Sequence, residues 1–174
     1  TDSSSNSAPS TAALSNADFT TGSATFHVED SDNAGTADYT TVVSVTGSGT
    51  FTIFENVVTG HDNCTGKAVI PNGVEAIAAY AFSGASGLTS VTIPASVTSI
   101  LNNAFAWNQS LTAVEFISAI DPLTIDPLVI QESAFRGTGI TSIEIPANVT
   151  FIGISSFSYS YSLTSVEFAS GSTL

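Results

Sequence analysis

The sequence predicts a mainly β protein: a solenoid of ~23-residue repeats with parallel strands, preceded by a small antiparallel β capping region. Three observations carry that prediction. From residue 65 onward the chain repeats itself; between Ala24 and Phe54 apolar and polar residues alternate with period 2; and 43% of residues are hydrophobic, enough for a buried core.

Taken in chain order, residues 1–18 are Ser, Thr, Ala and Asn with little apolar content and read as a flexible leader. The chain contains no Met and begins Thr1-Asp2 without a basic or apolar leader of its own. We therefore expect a mature N-terminus left after signal-peptide removal, or a trimmed chain, and an extracellular or cell-surface location. Residues 19–64 hold three period-2 runs, Ala24–Glu29, Tyr39–Val45 and Thr50–Phe54, and form the expected β cap. An open solenoid end exposes core and unpaired strand edges, which such a sheet would cover.

The repeats occupy residues 65–174, divided as 65–87, 88–110, 111–139 with an insertion, 140–162 and a partial 163–174. Ile70-Pro71, Val74, Ile77 and Ala81-Phe82 recur 23 residues later as Ile93-Pro94, Val97, Ile100 and Ala104-Phe105. They return as Ile145-Pro146, Val149, Ile152 and Ser156-Phe157. One unit alone buries too little to fold, so stacking must supply the core. In the third unit Phe116 to Phe135 spans 19 residues where the others span 12, and the seven inserted residues fall within 117–129, which carries two Asp-Pro pairs, an extended excursion before the pattern resumes at Ile130.

The segments LTSVTIPASVTSILNNAFAWNQS and ITSIEIPANVTFIGISSFSYSYS resemble the bacterial surface, or BspA-like, type of leucine-rich repeat. That resemblance implies a leucine-rich-repeat solenoid and a surface or secreted protein associated with adhesion, host contact and cell aggregation. Two family features are thin: the Gly after the second Ile survives only as Gly153, and the Cys before the next Leu is missing.

Composition excludes several function classes. Fifteen acids against two bases give a net charge of −13, and only 10% of residues are charged, against about 25% in an ordinary domain. Lys67 and Arg136 cannot build a basic patch, so no nucleic acid and no anionic membrane is expected as partner. No apolar run approaches the roughly 20 residues of a membrane span, so no membrane insertion is expected. With 27 Ser and 23 Thr, the surface should be rich in hydroxyls. Cys64 is the only cysteine, which rules out an intrachain disulfide.

No phosphate loop, metal-cysteine pattern or nucleophile elbow is present, and His61 with nearby Cys64 lacks a positioned base and oxyanion site, so a non-enzyme is expected. No cofactor is required. Calcium is the candidate ion: the loop from Glu29 to Asp38 offers Asp30, Asp32, Asn33 and Asp38 as oxygen ligands beside Gly35, although a solvated hairpin loop fits equally well. Glu115, Glu144 and Glu167 share one outward strand position and form an acidic stripe with no Lys or Arg near them in sequence. Trp107, Tyr159 and Tyr161 fall in the turn after Ala-Phe, where the repeat does not demand aromatics, and are candidate contact residues. Asn63, Asn108 and Asn148 head glycosylation sequons.

Two functions follow as expectations. One is a structural protein that self-associates head-to-tail into a filament or layer through its half-finished fifth repeat, its partner being itself. The other is an adhesion module that holds a foreign protein or glycan through its repeat surface.

Overall fold

The computed structural model describes residues 27–30, 39–44, 47–117 and 126–174. The expected leader, the ion loop from Asp32 to Asp38 and most of the insertion lie outside them. The described residues form thirteen strands and no helix. They are β1 (His27–Asp30), β2 (Tyr39–Ser44), β3 (Thr50–Phe54), β4 (Val57–Asp62), β5 (Thr65–Val69), β6 (Ala76–Ile77), β7 (Gly87–Ile93), β8 (Ser99–Ile100), β9 (Ala113–Phe116), β10 (Leu128–Ile130), β11 (Ser142–Ile145), β12 (Val149–Ile152) and β13 (Ser165–Phe168).

On one side of the solenoid runs a single eight-stranded sheet in the order β1-β2-β3-β4-β6-β8-β10-β12. Its first four strands are antiparallel and the rest parallel. Strand β4 is where the sense changes: Thr50 pairs with Asp62 across the hairpin, while Val57 and Val58 pair with Ala76 and Ile77 of the first coil. Glu55 and Asn56 turn that hairpin with φ of 47° and 62°, the left-handed pair that a two-residue turn between twisted strands requires. The sequence reading missed β4, because Gly60 interrupts its alternation and His61-Asp62 end it in polar residues.

The second side carries β5-β7-β9 and, as a separate pair, β11-β13. The two sheets part where the insertion leaves the coil. The chain rejoins the first sheet at Leu128, two residues earlier than the sequence pattern indicated. Leu128 is buried opposite Val149, at a register shift that absorbs the extra length.

The third side is a stack of turns rather than a sheet. Phe82, Phe105 and Phe135 donate their N–H to Ala104, Ala134 and Ser156 of the following coil at 2.8–2.9 Å. Their side chains stack inside: Phe82 on Phe105, Phe105 on Phe135 and Phe135 on Phe157, with centroids 5.1–5.5 Å apart and planes within 5°. Each such pair adds about 0.5–1.5 kcal/mol to its burial. At the cap, His61 lies 12° from the Phe82 plane at 6.2 Å, and Phe51 meets Phe82 edge-on at 5.5 Å. His61 thus stands where a preceding coil would place its own ring.

Candidate functional site

Each turn corners the chain with two left-handed residues: Tyr80 and Gly84, Asn103 and Trp107, Ser133 and Gly137, Ser155 and Tyr159. The second of these positions, two residues after the ladder Phe, is Gly in two coils and a bulky aromatic in the other two. Trp107 and Tyr159 hold φ of 63° and 62° there, which costs a residue with a Cβ about 1–2 kcal/mol. Backbone stability does not ask for those side chains.

Alternation of glycine and aromatic creates a surface feature. A Cβ on Gly137 would come within 2.5 Å of Trp107 Cε3, so the indole lies flat on the glycine and reaches the coil beyond. There its ring meets Tyr159, centroids 5.8 Å apart at 45°, and Tyr159 meets Tyr161 edge-on at 6.0 Å. The guanidinium of Arg136 caps both rings, 4.6 Å from the Tyr159 centroid and 5.3 Å from that of Trp107. The backbone N–H of Trp107 donates to the Arg136 carbonyl at 2.7 Å, which ties the two coils together under the cluster. Trp107 and Tyr159 remain 50% exposed and Tyr161 88%.

Arg136 was not singled out by its sequence, yet it follows ladder residue Phe135 directly, and aligning the four turns places it between the two aromatics. No acidic side chain meets it among the described residues, and its Nε is buried without an acceptor.

The acidic stripe is not continuous. Thr92 pairs with Glu115 and Glu144 with Glu167, but β9 and β11 do not pair, so the stripe breaks in two. A cation distant in sequence reaches one end of the stripe in space: Lys67 Nζ lies 3.5 Å from Glu115 Oε2, and Thr92 Oγ1 donates to the same oxygen at 3.2 Å. Lys67 is 48 residues away in sequence but two strands away in the sheet. Beside the break, a groove of about 520 Å³ runs between Pro94 and Pro146, with Glu115 and Glu144 among its walls.

Of the sequons, Asn108 is wholly buried and its Nδ2 donates to the Phe82 carbonyl at 2.8 Å, so the folded chain has no room for a sugar on it. That expectation is corrected. Asn63 is exposed, and Asn148 is half-buried with Nδ2 donating to the Asp126 carbonyl. Asp32, Asn33 and Asp38 lie outside the described residues, and Asp30 is described only as the last residue of β1. Among the described residues no three acids, histidines or cysteines converge. Cys64 is buried, donates to the Thr50 carbonyl at 2.8 Å, and has its pKa pushed up to about 11, chiefly by burial.

With this geometry in place, comparison with known proteins is decisive for family. A profile described as "BspA type Leucine rich repeat region" matches residues 52–173 in 6 copies. The chain belongs to the BspA-type leucine-rich repeat family. The match begins within β3, ahead of the point where periodicity is readable by eye, and takes in β4. Among solved structures, the chain is similar to a leucine-rich repeat protein from Bacteroides capillosus, at 28% identity, TM-score 0.55, covering 74% of this chain and 98% of that one. It shares its fold with the pneumococcal vaccine antigen PcpA, at 23% identity and TM-score 0.52, covering 85% of this chain and 39% of PcpA. None of the curated proteins matches the chain.

Proposed function

We propose that this BspA-type repeat is an exported, non-catalytic adhesion module that holds its partner through the Trp107–Arg136–Tyr159 cluster. The observation that supports it is the cost of the arrangement. Two aromatic residues occupy backbone conformations that sister coils fill with glycine, and they present half-exposed rings around the molecule's one arginine. Strain at an exposed cluster that packing does not require is a mark of binding. Rings held by the backbone lose little freedom when a partner arrives.

The test uses Trp107→Gly together with Tyr159→Gly, which restores the glycine seen in sister coils. Beads coated with wild-type protein should be retained under shear on mucin-coated or matrix-protein-coated surfaces, and beads carrying the double variant should wash off. Equal retention of the two, or no retention of wild type, removes the reading.

A second reading, self-association, draws on a different observation. Phe151, Ile154, Val166 and Phe168 of the last rung are 43–79% exposed, and β12 and β13 each end a sheet. A further rung would cover them, whether supplied by a continuation of the chain or by a second copy docking head-to-tail. Light scattering with and without millimolar calcium tests this, and includes the proposal that Asp30, Asp32, Asn33 and Asp38 bind calcium. Monomers at every concentration, in wild type and in Ile154→Asp alike, would remove self-association.

A further inference from the structure

We infer that the Trp107–Arg136–Tyr159 cluster takes a terminal carboxylate-bearing sugar of a glycan, a uronate or a sialate. The inference rests on the adhesion reading above and names the ligand class of the same site.

Charge gives the first argument. The molecule has two basic side chains against fifteen acids. Lys67 is engaged with Glu115 on another side of the solenoid, whereas no acidic group meets Arg136 among the described residues. In so acidic a chain, an arginine that no carboxylate meets among the described residues is a place for an anion from outside. Its Nε is already buried and unaccepted, so the N–H groups at its tip are what it offers, and a planar fork of that kind matches a carboxylate.

The aromatic faces give the second. A pyranose presents one face of C–H groups, slightly positive, which suits the negative face of an indole or phenol ring. The guanidinium covers part of Trp107 and Tyr159 and Gly137 seats the indole, yet both rings stay half-exposed, so the uncovered ring surface next to the guanidinium is what meets a pyranose, and the backbone N–H bond from Trp107 to the Arg136 carbonyl holds the two coils in place in advance. Beside them in sequence Ser158 is half-buried and Ser162 exposed, hydroxyls of the kind that pair with a sugar's own, while Ser160 is buried and donates to the Phe135 carbonyl. The net charge of −13 opposes an extended polyanion but acts over only about 8 Å at physiological salt. Hence a single acidic sugar at the end of a chain or branch, rather than a polyuronate, is the ligand.

Trp107 is the only tryptophan, so its emission reports the site directly. The probes are 3′-sialyllactose and methyl glucuronide, with lactose and methyl glucoside as neutral counterparts and an acidic hexapeptide as a carboxylate that is not a sugar. One or both acidic sugars should shift the emission, the matching neutral forms should bind about tenfold or more weakly, and Arg136→Gln should erase the difference. Which acidic sugar responds tells sialate from uronate. Gly137→Ala, which displaces the indole, should weaken the acidic sugar while circular dichroism stays unchanged. Equal affinity for neutral forms, equal binding of the peptide, or no response to either acidic sugar overturns the inference. If acidic sugars fail while the Trp107→Gly, Tyr159→Gly beads still lose retention, the ligand class falls and adhesion through the cluster stands. If retention is unchanged, the adhesion reading falls and the titration is judged by itself.

Discussion

At the scale of single residues, the solenoid repeats a problem as well as a solution. Among the described residues, two ladder carbonyls take a side-chain donor from the next coil. Asn108 supplies it for Phe82, and Ser160 for Phe135 with help from Thr138. Replacing Asn108 with Ala should leave the Phe82 carbonyl with only the Ala85 N–H at 3.1 Å and cost about 0.5–1.5 kcal/mol, while Asn108→Ser should recover part of it, as read from thermal unfolding. Cys64 carries a pH dependence. Its thiol, at about 11 in the fold against 9.0 when free, favours the protonated fold. The stability it lends is therefore complete below pH 9.0 and is lost as pH rises toward 11; Cys64→Ala should flatten the alkaline limb of a urea-midpoint profile across that window. These residues show why site and scaffold were unequally legible. Ile, Pro and Phe recur because each packs on its own counterpart, and a period exposes them. Arg136 occurs once, so its meaning lies in neighbours 29 and 23 residues away, visible only when the turns are aligned. Asn108 carried a sequon that a sequence shows and burial cancels.

The same contrast holds for elements. Strands β7, β9, β11 and β13 could be placed from their alternation, because an inward Ile or Phe every second residue is what a half-buried strand needs. Strand β4 could not, since it earns its place by pairing with β3 and β6 rather than by its own pattern. The ladder is the element that unites the coils. Phe105, stacked on both faces, should cost about 3–5 kcal/mol when truncated to Ala. Phe157 has a stacking partner on one face among the described residues and is partly exposed, so Phe157→Ala should cost clearly less. Equal losses in urea titrations would mean that the rings do not act as a column.

On the scale of the whole molecule, charge and connectivity dominate. A net charge of −13 opposes compaction, so the urea midpoint should rise as salt increases from about 0.01 to 0.15 M and the Debye length falls from about 30 to 8 Å. A midpoint indifferent to salt would mean the acids are too dispersed to repel. Connectivity has a mechanical consequence. Under tension applied along the stack, rungs peel one after another, each releasing about 23 residues, roughly 80 Å of contour. The boundary between β9 and β11 is secured by one sheet, as is the short terminal rung of β13, whereas the two coil boundaries before it, held by β5-β7 with β6-β8 and by β7-β9 with β8-β10, are secured by two, so it is the fuse within the stack. In an optical trap, once the short β13 rung has peeled, the next rip should come there, dividing a cap-bearing part from the part that carries Tyr159, and separating Trp107 from its aromatic partner before the earlier coils unravel.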